Sequence, residues 1–180
     1  MLKFSGSAQR SFSFPAGLTM AYAYYSDLPY VFQYLPHISL VKVHADDHFR
    51  LLYSTTELGA YNIRMFCDLR AAMEGGRHLI RLVPEETLPT VEPTAGFYST
   101  SGRGYFTLES LFLDAGDETI IDFSLALHAR LPKPRGMRLM MGSVVNRVAD
   151  GITNTRMNEV IDGFIKQTVA GFPQWTRERV

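Results

Sequence analysis

Cysteine is nearly missing from these 180 residues. Cys67 stands alone, which excludes an intrachain disulfide and a multi-cysteine zinc site and points to a reducing compartment. Net charge is missing too. Eighteen Lys and Arg balance eighteen Asp and Glu, so no overall field steers the chain towards nucleic acid or an anionic membrane, although neutrality leaves room for a local patch. No apolar run approaches the roughly 20 residues that span a bilayer. Met1-Leu2-Lys3-Phe4 lacks a secretory hydrophobic core, and the expected compartment is the cytoplasm. The five histidines, His37, His44, His48, His78 and His128, show no i,i+4 helical pair and no cysteine companion, so neither a metal nor a cofactor is expected. Repeats, linkers and low-complexity tracts are absent, and the expectation is one domain over residues 1–180.

What is present is mostly β. Phe12 and Phe14 alternate with Ser11 and Ser13 before Pro15-Ala16-Gly17 stops the strand. Leu18 to Tyr25 is short and aromatic, and Ala21-Tyr22-Ala23-Tyr24 is compatible with helix or strand. Ser26-Asp27 offers an N-cap and Pro29 a first-turn residue, which predicts a short helix over Leu28 to Tyr34 that ends at Pro36. Strands follow at Leu40 to Ala45, Phe49 to Thr56, Tyr61 to Ala72 and Arg77 to Val83, the third having the clearest alternation of apolar and polar residues. Pro84 to Gly96, with three prolines, reads as a loop over an end of the sheet. Two more strands, Tyr105 to Leu113 and Thr119 to Leu131, complete the run.

The last third, Gly136 to Ala170, carries a long helical pattern. Met137, Met141, Val144, Val145, Val148 and Ile152 fall in one sector at 100° per residue, as expected of a helix laid on a sheet. Met157, Val160, Ile161, Phe164 and Thr168 fall nearly opposite. Either the helix breaks near Asn154, or its second half packs on something else; with Phe172-Pro173-Gln174-Trp175 that half could join a second copy in a homodimer.

Strand, two short helices, six consecutive antiparallel strands and one long helix form an α+β chain whose seven-stranded sheet must curve around the helix. This order, together with Ser26-Asp27-Leu28-Pro29-Tyr30-Val31-Phe32-Gln33-Tyr34-Leu35-Pro36 ahead of the second strand, resembles the helix-grip fold of the START and birch-pollen-allergen superfamily. That superfamily includes polyketide cyclases and quinone-binding relatives. The chain is also similar to a bacterial and plastid branch of it, a similarity that implies no activity.

The resemblance implies an apolar pocket between sheet and helix. Its expected lining is Met65, Cys67, Phe106, Leu108, Phe123 and Leu125 from the sheet, Tyr34 from the short helices, and Met141, Val144, Val145 and Val148 from the long one. A solid core of the same residues is the alternative. The partner implied is one hydrophobic small molecule, lipid, quinone or polyketide-like, with no catalytic residue assigned. The alternative is a cyclase or dehydratase, for which an ionisable group must face the cavity; Glu109, Tyr105, His78 and Tyr34 are the side chains to inspect. Strand alternation turns Glu109 and Asp122 outward, puts Cys67 on the apolar side as an unreactive thiol, and makes Arg64, Asp68 and Arg70 a solvated ladder. Ser101-Gly102-Arg103-Gly104 lacks the strand-loop-helix setting and the lysine of a phosphate-binding loop.

Overall fold

The computed structural model describes residues 1–179, apart from the side chains of Arg147 and Val148. Strand β1 (Leu2–Phe14) leads into α1 (Leu18–Ser26) and α2 (Leu28–Val31), which continues as a 3-10 turn, Phe32–Tyr34. Then come β2 (Ile38–Ala45), β3 (His48–Glu57), β4 (Tyr61–Glu74), β5 (Leu79–Pro84), β6 (Thr94–Ala95), β7 (Ser99–Ala115) and β8 (Glu118–Leu131). A 3-10 turn, Arg135–Met137, precedes α3 (Gly142–Arg179). The expected α+β helix-grip arrangement is the one observed, with a two-residue strand, β6, inside the segment read as a loop.

The sheet runs in the order β1-β8-β7-β5-β4-β3-β2. One pairing departs from the antiparallel scheme. Strand β5 is short, so beyond Pro84 its two neighbours close on each other, and Asn62 to Cys67 of β4 pair in parallel with Ser99 to Gly104 of β7. Strand β7 therefore begins six residues before the predicted Tyr105. Its early inward positions are Thr100, Gly102 and Gly104, which show no apolar alternation.

Helix α3 is continuous through Asn154 to Arg179. Its buried face is a single stripe, Val145, Ala149, Thr153, Met157, Val160, Ile161, Phe164, Thr168 and Trp175. The helix does not break near Asn154; its second half packs on more than its first does, adding α1 to the sheet. Phe164 stacks on Phe123 of β8 at 5.1 Å, and Thr168 takes hydrogen bonds from Tyr24 and Tyr25 of α1. The stripe offered to a second copy is thus buried within its own chain. The helix also extends nine residues past Ala170 and includes Pro173. Trp175 anchors this end, donating from Nε1 to the Asp27 carboxylate at 3.0 Å. Asp27 stands at the N-cap of α2, but its side chain makes no capping bond and serves Trp175 and Arg179 instead.

Among the described residues, no helix is long and apolar enough to cross a membrane.

Candidate functional site: the seam between sheet and helix

Strand parity determines which side chains meet α3. On β4 the odd positions Ile63, Met65, Cys67 and Leu69 are buried, and on β8 Phe123, Leu125, Leu127 and Ala129 are as well. Phe106 and Leu108 of β7 face the same interior. All six sheet positions expected to line a pocket therefore lie in the core. Val145 joins them from α3, at 6% exposure.

Of the remaining four expected positions, three are described and they differ. Met141 and Val144 are 73% and 47% exposed, which corrects the inward placement. The reason is phase: the buried stripe of α3 passes through 145, 149 and 153, and Met141 precedes the first helical residue, Gly142. Tyr34 is half-buried and packs on α3 far along the helix, where a Cβ on Gly171 would collide with its hydroxyl. Val148 lies outside the described side chains.

The interior is closely filled. Cys67 and Phe106, with Ile38, Leu51, Tyr53 and Leu127, surround about 10 Å³ of free space. Leu108 and Phe123, with Phe164 and the short helices, surround about 10 Å³ more. Each void is the size of one water. The seam opens to the surface at the start of α3, in a cleft of about 20 Å³ lined by Leu2, Phe4, Ile63, Met137, Met140, Val145 and Ala149. Leu58, in the β3–β4 turn, stands at its rim 55% exposed and in the left-handed region at φ 51°, a conformation a branched side chain adopts only at a cost. Leu139, at 99% exposure, Met141 and Val144 are further exposed apolar side chains around the start of α3.

One buried acid escaped the sequence reading. Glu57, 5% exposed, is inward at the end of β3 and is paired with Arg156 of α3, whose Nε donates to Oε1 at 2.9 Å. The guanidinium also donates to Glu159, and these carboxylates raise its pKa. The period of Phe49, Leu51, Tyr53 and Thr55, continued one step past the predicted strand end at Thr56, would have found it. Asp68 also departs from expectation. Far from forming a solvated ladder, it is 3% exposed and grips Arg50 through both oxygens at 2.6 and 2.9 Å, because the 85–93 segment covers that face and Pro89 accepts from Arg50 as well.

Glu57 lines the cleft, where Arg156 holds its carboxylate; of the four side chains singled out for acid–base chemistry, three lie away from the seam and Tyr34 lies against the far end of α3. Glu109 is exposed and accepts from Arg81 at 2.7 Å. Tyr105 is on the outer face at 39% exposure. His78 packs edge-on against Tyr22, and Tyr34 lies against α3 near Gly171. Burial pushes the Tyr53 hydroxyl up to about 12, so it stays protonated near neutrality.

The same architecture recurs in solved structures of low sequence similarity. A protein of Thermus thermophilus, TTHA0849, matches at 15% identity and TM-score 0.54, over 93% of this chain and 98% of its own. The Zhui aromatase/cyclase of Streptomyces sp. R1128 matches at 9% identity and TM-score 0.51, over 94% of each chain. Human STARD10 matches at 11% identity and TM-score 0.52, over 96% of this chain and 66% of its own. The chain therefore has the START and birch-pollen-allergen type of helix-grip fold. No family model matches the sequence, and no curated protein matches it.

Proposed function

We propose that the chain binds one hydrophobic small molecule, of the lipid, quinone or polyketide class, in the seam between the sheet and α3. The observation that carries this reading is the apolar cleft at the start of α3, which leads from the exposed Leu58 to the buried Phe4, Ile63 and Val145 beneath. Occupation requires the seam to open, since an organic ligand needs some 300 Å³ or more. The helix is built unevenly for that movement. Among the described residues its first three turns bury only Val145, Ala149 and Thr153, whereas its later turns bury Met157, Val160, Ile161, Phe164, Thr168 and Trp175. At roughly 25 cal/mol per Å² of apolar surface, lifting the first turns costs a small fraction of releasing the whole helix. The Arg156–Glu57 pair sits at the boundary.

A cyclase-like enzyme is less well supported, because Glu109, Tyr105 and His78 lie outside the seam and Glu57, the carboxylate that lines the cleft, is held by Arg156. The aromatase/cyclase and STARD10 share the fold, which favours neither reading at these identities.

The test is to lock the cleft. Leu58 and Met140 both line it, and a Leu58→Cys/Met140→Cys variant can be bridged across the mouth with a bis-maleimide linker while Cys67 stays buried. Wild type and the unbridged variant should take up an apolar fluorescent probe such as N-phenyl-1-naphthylamine at one site, and the bridged variant should not. Equal uptake by bridged and unbridged protein, or no saturable uptake by wild type, would sink the proposal.

A further inference from the structure

On the opposite face of the sheet, three cations stand side by side. Lys3 of β1 pairs directly with Arg130 of β8. Gly104 pairs with Ala129, so the preceding residue, Arg103 of β7, flanks Arg130 on its other side. With strands about 4.8 Å apart, three positive residues cross about 10 Å of sheet. Like charges opposed across strands destabilise a sheet. No carboxylate offsets this one: among the described residues none pairs with Lys3, Arg103 or Arg130, whereas Arg50, Arg81 and Arg156 each hold at least one. The chain as a whole is neutral, so the cluster does not follow from a general excess of base.

The row is also shaped. A groove of about 470 Å³ lies over it, walled by Pro93 and floored by Ser5, Tyr105 and His128 of the next row. This is much larger than any void in the seam. Arg103 is held in place: its guanidinium donates to the Glu85 carbonyl oxygen, its carbon lies 5.4 Å from the Tyr105 ring centre, and its Nε is buried with no partner. Ser5 and His128 are hydrogen-bonded to each other at 3.0 Å.

We propose that this groove is a second binding site, for a small molecule or headgroup carrying more than one phosphate charge. Phosphate oxygens accept from guanidinium and ammonium groups, relieve the repulsion among the three cations, and fit a groove in the size range of small-ligand sites. Ser101 to Gly104 takes part as a β-strand presenting Arg103, a different use from that of a backbone phosphate loop. This site is independent of the seam.

Calorimetric titration with inorganic pyrophosphate tests it, alongside sedimentation with phosphatidate vesicles. Saturable pyrophosphate binding is expected, weakened about tenfold by Arg130→Gln or Lys3→Gln. Because both side chains are exposed and repelled by their neighbours, the same variants should melt no lower than wild type without ligand and should lose the upshift that pyrophosphate produces. Binding to vesicles alone, abolished by the same variants, assigns the phosphate to a lipid headgroup. Binding to neither probe, or binding that Arg130→Gln, Lys3→Gln and Arg103→Gln all leave intact, overturns the assignment.

Discussion

Arg156 of α3 and Glu57 of β3 form an ion pair across the seam, with Nε 2.9 Å from Oε1 and the carboxylate 6% exposed. It is the one ion pair among the described residues that ties the helix to β3. Removing the cation leaves a buried carboxylate without a partner, which costs far more than the pair contributes. Arg156→Met should destabilise the fold by about 3 kcal/mol in urea denaturation. Adding Glu57→Gln should recover a good part of that loss. A double variant as unstable as the sum of the two single ones would show that they are not coupled.

Gly6 of β1 lets the helix approach. A Cβ at this position would lie 2.7 Å from Cγ2 of Thr153 and 3.0 Å from its backbone oxygen. Gly6→Ala should therefore cost about 1–3 kcal/mol through overpacking, whereas Gly75→Ala, where nothing lies within 4 Å, should stay within about 0.5 kcal/mol of wild type. Equal melting temperatures for the two variants would mean that α3 yields freely along its whole length.

Much of this fold was legible in the sequence because burial follows period two on β4 and β8. The alternation of Ile63, Met65, Cys67 and Leu69, and of Phe123, Leu125 and Leu127, determines the inner face. The phase of α3 was not legible. Its buried stripe passes through Ala149 and Thr153, one small and one polar, while the more hydrophobic Met141 and Val144 lie at the surface. The start of β7 was hidden for a related reason: Gly102 and Gly104 face inward with no side chain to reveal it, and a Cβ at either would collide with Leu131 or Cys67, so the interior there leaves no room for one. Asp68 is buried by a distant segment, a tertiary effect that no local pattern carries.

Cys67 lies under the centre of β4 at 3% exposure, and burial pushes its thiol up to about 12. At pH 8 only about one thiol in ten thousand is then ionised, and reaction requires the thiolate. Native protein mixed with Ellman's reagent should show almost no release of thionitrobenzoate, and denatured protein should release one equivalent. Rapid labelling of native protein would mean that the seam opens frequently even without ligand.

Glu85 provides a prediction in pH. Hydrogen bonds from the backbone N–H and hydroxyl of Thr87, with His48 nearby, lower its carboxyl from the ordinary 4.5 to about 2. A carboxyl with a depressed folded-state pKa stabilises the fold above its unfolded value, and that stabilisation disappears as pH falls through the folded one. Wild type should thus exceed Glu85→Gln in thermal stability at pH 6, and the margin should shrink from about pH 4.5 downwards and close near pH 2. The same carboxylate ties down the segment whose carbonyl holds Arg103. If the margin were constant from pH 6 to pH 2, the contribution of Glu85 would be packing, and its charge would have no part in holding the segment over the sheet.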